Sequence, residues 1–170
     1  MKILETERTI LREVLADDAE FILDLLNQPS FIRYIGDRNV RTIEQARDYI
    51  ESRFAKNYAK LGFGMWTVEL KETNAPIGVC GFVKRDGLPD ADIGFAFLPQ
   101  FERKGYAFES AAAALEYGRD VLQLKRVLAI TSKDNDSSGK LLGKLNFKFE
   151  RLIVLPGGNE ELKLFSYLAS

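Results

Sequence analysis

Glu102-Arg103-Lys104-Gly105-Tyr106-Ala107 stands between an apolar and aromatic run, Asp92-Ile93-Gly94-Phe95-Ala96-Phe97-Leu98, and an alanine-rich one, Phe108-Glu109-Ser110-Ala111-Ala112-Ala113-Ala114-Leu115-Glu116-Tyr117. The first run reads as a strand and the second as a helix, so the hexapeptide is a strand-to-helix turn with the helix opening near Tyr106. A helix start leaves backbone N–H groups unpaired at the positive end of the helix dipole. A glycine-containing turn there is able to wrap a diphosphate with main-chain donors. Gly105 is the position where a side chain would block close approach of phosphate oxygens, and small Ala107 lets the helix start lie against a neighbouring strand. The same residues also suit an ordinary connection with Arg103 and Lys104 in solvent, so the surrounding sequence decides between the two.

Working outward, the alanine-rich helix leads into a strand over Arg126–Thr131, which makes a strand-loop-helix-strand crossover. Upstream, Met65–Leu70, Ile77–Lys84 and Asp92–Leu98 are separated by Asn74-Ala75-Pro76 and Asp86-Gly87-Leu88-Pro89, the pattern of an antiparallel meander. Arg8–Val14 reads as a first strand. Asp17-Asp18-Ala19-Glu20 then opens a helix, with an aspartate cap, that ends near Pro29. Thr42-Ile43-Glu44-Gln45 caps another helix, which carries Ala46, Ile50 and Phe54 at helical spacing to a stop at Leu61-Gly62. Downstream, Ser137–Leu145 is a short helix, and Phe149–Leu155 pairs with Leu162–Leu168 across Pro156-Gly157-Gly158-Asn159. With no linker or repeat, the expectation is one domain over 1–170. Its class is α+β in three α/β/α layers, a mixed sheet covered by helices.

Composition narrows the function. The 170 residues are 46% hydrophobic and 29% charged, an ordinary globular balance, and the formal net charge of −1 supplies no basic field for a polyanion. Nucleic acid is therefore not the expected partner. Neither a signal-like opening nor a bilayer-length apolar stretch is present, so the expected compartment is the cytoplasm, without a membrane partner. One cysteine and no histidine leave no internal disulfide, no Cys/His metal site and no Ser-His or Cys-His catalytic pair. Cys80, inside Ile77-Gly78-Val79-Cys80-Gly81-Phe82, reads as strand packing.

Four elements in order now acquire meaning together. Gly105-Tyr106-Ala107-Phe108-Glu109, Asn135-Asp136-Ser137-Ser138 and Lys144-Leu145-Asn146-Phe147, preceded by Leu4-Glu5-Thr6-Glu7-Arg8-Thr9-Ile10-Leu11-Arg12, resemble the GNAT superfamily, specifically its ribosomal-protein alanine N-acetyltransferases. The resemblance spans nearly the whole chain. It departs at Glu102, where the family loop often has Gln or Arg, and at Asn146, where it has Gly. Main-chain phosphate contacts tolerate the first change, and Asn is the best substitute for Gly in a left-handed helix-ending conformation.

The resemblance implies a mostly antiparallel sheet whose two parallel middle strands splay apart to admit the pantetheine arm of acetyl-CoA. It implies a cofactor loop of Arg103, Lys104, Gly105, Tyr106 and Ala107, a strand N–H near Phe97 or Leu98 that polarises the thioester carbonyl, and Asn135 on the pantetheine amides. Ser138 is the candidate proton donor to the departing thiolate, and equally a cap of its short helix. Asp92 is the candidate catalytic base acting through water, with Glu69 as an alternative; ordinary strand-edge charge explains either. Phe31, Tyr34 and Trp66, with Phe63, are candidates for lining an acceptor channel, and also suit a core. Lys144 is placed for the cofactor's outer phosphate.

The implied reaction is direct acetyl transfer to an amine, on a monomer or a homodimer. A free α-amine, with pKa about 7.7–8.0 against about 10.4 for lysine, suits a site without a strong base. The resemblance implies a protein N-terminus, as of a ribosomal protein, as the leading acceptor, and the pKa comparison is compatible with it. A small amine, amino acid, polyamine or drug, shares every cofactor residue, and a non-catalytic acyl-CoA-binding sensor would keep the cradle without turnover. A nucleotide phosphotransferase would need Gly-x-x-x-x-Gly-Lys-Ser/Thr, which is missing.

Overall fold

The meander and the crossover form where alternation and helical spacing place them. The computed structural model describes residues 1–169. Strands β1 (Lys2–Glu5), β2 (Thr9–Glu13), β3 (Met65–Leu70), β4 (Pro76–Val83), β5 (Asp92–Phe97), β6 (Arg126–Ser132), β7 (Lys148–Ile153) and β8 (Leu162–Leu168) form one sheet. Its order is β1-β2-β3-β4-β5-β6-β8-β7, antiparallel throughout except for the parallel β5–β6 pair. Helices α1 (Ala19–Leu26), α2 (Pro29–Tyr34), α3 (Ile43–Tyr49) and α4 (Lys56–Leu61) belong to one face, and α5 (Tyr106–Asp120) and α6 (Asp136–Lys144) to the other.

Period-two alternation divides the core between these faces. Trp66, Val68, Cys80, Phe82, Ile93, Phe97, Val127 and Ala129 pack with Ala111, Ala114 and Leu115 of α5 and Leu142 of α6. Val79 and Leu98 pack instead with Phe21, Ile22, Leu25, Phe31, Ala46, Ile50 and Phe54 from the N-terminal helices. Cys80 is fully buried, and burial pushes its thiol up to about 12, in keeping with a packing role.

Four local features differ from expectation. The first strand is a hairpin, because Lys2–Glu5 pairs back on Thr9–Glu13 across Thr6-Glu7-Arg8, a turn without Gly, Pro or Asn to announce it. Pro29 separates two helices, ending one and occupying the first turn of the next, where its missing N–H costs nothing. The helix capped by Thr42, whose hydroxyl accepts from the Gln45 N–H at 3.0 Å, contains a π-helical stretch over Ile50–Ala55 before stopping at Gly62. The Asp18 carboxylate does not cap α1. It accepts from the Leu15 N–H at 2.8 Å and from two nitrogens of Arg12 at 2.8 and 2.9 Å, pinning the preceding turn to β2. Among the described residues, no helix is long and apolar enough to cross a membrane.

Candidate active site

Parallel neighbours present their C-terminal ends at one edge, so the segments that follow β5 and β6 meet there. The only registered pair between these strands is Asp92 with Leu128, near their beginnings. Beyond it they part, and the opening widens toward Phe97 and Ser132. The Leu98 N–H donates to the Ile77 carbonyl at 2.9 Å, so amides of that parity face β4, while those of Phe95 and Phe97 face the gap. Of the two expected carbonyl-polarising donors, Leu98 is therefore excluded: its N–H is engaged, and its carbonyl accepts from the Phe101 N–H at 2.9 Å. The Phe97 ring lies across Gly78, where a Cβ would stand only 2.5 Å from Cδ2, so the sheet's end accepts glycine alone at that point.

At the mouth of the gap the loop before α5 has two left-handed residues, Arg103 with φ 60° and Gly105 with φ 85°. Gly105 is the N-cap of α5 and brings no side chain to that role, and no acceptor among the described residues bonds the backbone amides of 103–108. Successive free N–H groups at a helix start form an anion-binding concavity. These donors suit a diphosphate, and the fit does not depend on the side chains of Arg103 and Lys104, which are exposed.

The space beside Gly105 is filled by an unexpected residue. A Cβ there would stand 3.1 Å from Nη2 of Arg8, in the β1–β2 turn. Arg8 donates from Nη1 to the Lys104 carbonyl at 3.0 Å and from Nε to Glu109 Oε1 at 2.7 Å, and its Cζ lies 4.3 Å from the Tyr106 ring centroid. The Arg8 backbone N–H and the Thr6 hydroxyl both donate to Glu109 Oε2. Burial pushes the Glu109 carboxyl upward, but the bonds from Thr6 and Arg8 outweigh it and hold its pKa below the ordinary value. Glycine at 105 thus suits the positive φ and the close approach of Arg8, and not only the phosphate approach the sequence suggested.

Past β6, the Asn135 side chain caps α6 by accepting from the Ser138 N–H at 3.3 Å; its Nδ2 donates to no described residue. Asn135 and Ser138 are half-buried at the start of α6, which follows the C-terminal end of β6, and Asn135 also borders a cavity lined by Phe149, Lys163 and Phe165. Thr131 shares the face of Phe97, and its hydroxyl is buried without a partner among the described residues. On the other face Ser132 donates from Oγ to the Tyr34 carbonyl at 2.8 Å, tying the end of α2 to the end of β6. Four residues on, Arg38 is half-buried, its Nε without a partner among the described residues, with Nη1 3.8 Å from the Cβ position of Gly36.

Other expected residues lie elsewhere. Trp66 is 1% exposed and edge-on to Phe82 and Tyr117 at 6.0 and 5.6 Å, beneath α5, so it is core and lines no acceptor channel. Phe63 packs edge-on to Phe82 on that same face. Phe31 is buried among the N-terminal helices, which leaves Tyr34 as the expected aromatic at the mouth. Asp92 sits where the strands are joined, 1% exposed, accepting from Arg85 Nε at 3.0 and 3.2 Å. Burial pushes its carboxyl up to about 6 against the pull of Arg85. It is five residues from Phe97, so the fold separates it from the opening. Glu69 is bound to Arg12 at 2.7 Å on β3, two strands from the gap. Lys144 is exposed at the far end of α6 from Asn135. Asn146 adopts φ 72°, the left-handed state its place after α6 requires.

The sequence carried no sign of Arg8, Thr131, Ser132 or Arg38, since arginines in loops and hydroxyls in strands are unremarkable until their neighbours are known.

Residues 8–148 match the family model described as acetyltransferase (GNAT) domain. The N-acetyltransferase YoaA of Bacillus subtilis is 35% identical over 152 residues, 89% of this chain and 85% of that protein. The alanine N-acetyltransferase of ribosomal protein uS5 from Escherichia coli is 31% identical over 108 residues, 62% of this chain and 54% of that one. A GNAT-family acetyltransferase from Bacillus anthracis, known from its crystal structure, superposes with a TM-score of 0.79 and 27% identity, over 99% of each chain.

Proposed function

The chain belongs to the GNAT acetyltransferase family and is an N-acetyltransferase, and on that premise we propose that it acetylates the α-amine of a protein N-terminus, as a single catalytic domain using acetyl-CoA. The observation that carries the cofactor reading is the run of unpaired backbone amides over 103–108, at the mouth of the β5–β6 gap. These amides would hold the diphosphate, and Asn135 would donate from Nδ2 to a pantetheine amide.

Bound acetyl-CoA supplies an acetyl thioester to the gap. The Phe97 N–H would donate to the acetyl oxygen, where negative charge would grow as the amine nitrogen bonds to the carbonyl carbon. As the C–S bond breaks, the hydroxyl of Ser138 or of Thr131, the latter without a hydrogen-bond partner among the described residues, would give its proton to the sulfur, and water would carry the proton lost by the amine nitrogen back to that hydroxyl. No side-chain nucleophile takes part.

Two features support an N-terminal acceptor of the ribosomal-protein type. Asp92 and Glu69 are both tied to arginines away from the opening, which favours an amine already partly neutral at pH 7: about a tenth of an α-amine, against almost none of a lysine side chain. Arg38, four residues beyond Tyr34, has no ion-pair partner among the described residues, and a free cation there favours peptide carbonyls or carboxylates and opposes a polyamine. The uS5 relative bears the name of such a reaction.

The test is thiol release from acetyl-CoA against N-terminal peptides and small amines. Turnover with peptides, and acetylation mapped to their first residue, is the expected result. Turnover confined to one small amine would overturn the acceptor reading. Binding without any turnover would identify a sensor.

A further inference from the structure

We propose that Arg8 is a positioning residue for the cofactor loop, setting the Lys104–Gly105 peptide so that its N–H faces the diphosphate. This rests on the reading of the loop as the diphosphate site. A trans peptide points its carbonyl and its N–H in opposite directions. Arg8 Nη1 binds the Lys104 carbonyl at 3.0 Å, so the Gly105 N–H is turned away from Arg8, toward the side of the loop where the amides of 103–108 have no protein acceptor. Left alone, the Lys104–Gly105 peptide, in a loop with left-handed residues at Arg103 and Gly105, would be free to flip. The guanidinium removes that freedom.

Arg8 is itself fixed on three sides. Nε is bound to Glu109 at 2.7 Å, its backbone N–H to the other oxygen of Glu109 at 2.9 Å, and its plane covers the Tyr106 ring. Glu109 lies in the first turn of α5. One arginine therefore joins the carbonyl just before the helix to a side chain just inside it, and defines the curvature of the chain between them. Its charge is matched by Glu109, and Nη2 lies 3.1 Å from the Cβ position of Gly105. Arg8 acts through the peptide and does not bind the diphosphate.

Titration calorimetry of the full chain separates these roles, using coenzyme A and pantetheine, which lacks the diphosphate. Arg8→Ala should weaken coenzyme A binding about tenfold to a hundredfold, leave pantetheine affinity unchanged, and leave the salt dependence of coenzyme A binding as in the parent. Arg8→Lys keeps one donor for the Lys104 carbonyl and should recover part of the loss. It also serves as the test should the alanine variant fail to fold. Equal coenzyme A affinity in Arg8→Ala, or equal weakening of both ligands, overturns the proposal. A flattened salt dependence would make Arg8 a direct phosphate ligand and overturn it equally. If the parent chain does not bind coenzyme A, the loop reading fails instead.

Discussion

The two ends of β5 are roughly 16 Å apart, at about 3.3 Å per residue, and they treat polar groups in opposite ways. At the Asp92 end the strands are joined, and the buried carboxylate is held by Arg85. At the Phe97 end the strands diverge. There the Phe97 N–H faces the gap, and among the described residues the buried Thr131 hydroxyl has no partner and the amides of 103–108 have no acceptor. Both ends lie in the same sheet among similar side chains. Unused hydrogen-bonding capacity distinguishes the site from the scaffold, more than charge or residue type does. Asp92 shows why: the carboxylate that burial perturbs most belongs to the scaffold.

Substitutions at the open end should therefore alter binding and turnover, and those at the closed end only stability. The largest expected effect is from Gly105→Glu. It places a side chain at φ 85°, 3.1 Å from Arg8, and adds negative charge to the cradle, so calorimetry should find no coenzyme A binding while circular dichroism stays native. Retained affinity would break the comparison at its root. Next, Ser138→Ala should lower kcat about a hundredfold with coenzyme A affinity unchanged, if Ser138 protonates the leaving thiolate. A fall of that size in Thr131→Val, and not in Ser138→Ala, would move the role to the strand. Tyr34→Ala should raise the acceptor KM about tenfold, with the KM for acetyl-CoA unaltered.

The smallest kinetic effect belongs to the closed end. Asp92→Asn should leave kcat and both KM values where they are, and change only how stability depends on pH. Burial raises the folded pKa of Asp92 to about 6, above the ordinary value near 3.9, so the folded state holds this proton more tightly than the unfolded chain. The contribution of Asp92 is fully present below about pH 4, declines as pH rises to about 6, and is constant above that. Asparagine removes the decline. The stability of the variant relative to the parent should rise between pH 4 and pH 6, by about 2–3 kcal/mol in denaturant titrations. A kinetic defect in Asp92→Asn would place a catalytic group at the wrong end of the strand.

How much of this was readable in advance follows the range of the interactions. The meander, the crossover and the final hairpin rest on periodicity and turn residues within a few positions, so their bounds fall within about a residue or two of expectation. The Gly105 loop was readable because a backbone requirement concentrates in one residue type, and Asn146 followed the same logic. Sidedness was harder. Alternation places Trp66 and Val68 on one face of β3, but only the packing of α5 over that face makes Trp66 core and removes it from the acceptor side. Asp92 resembled a strand-edge charge because its burial depends on a neighbouring strand that arrives later in the chain. Arg8 and Glu109 are 101 positions apart, and nothing local to either announces the other.

That separation has a consequence for how the chain acquires its site. The β1–β2 turn leaves the ribosome ahead of α5, and the carboxylate that holds it is made 101 residues later. At about 5–20 residues per second, translation leaves Arg8 without its partner for roughly 5–20 s. The cofactor loop, for its part, is synthesised before β6 and β8, whose pairing forms the far wall of the gap. Cofactor competence is therefore among the last properties to mature, and nascent chains halted before Glu109 should carry the hairpin in a form readily cut by protease.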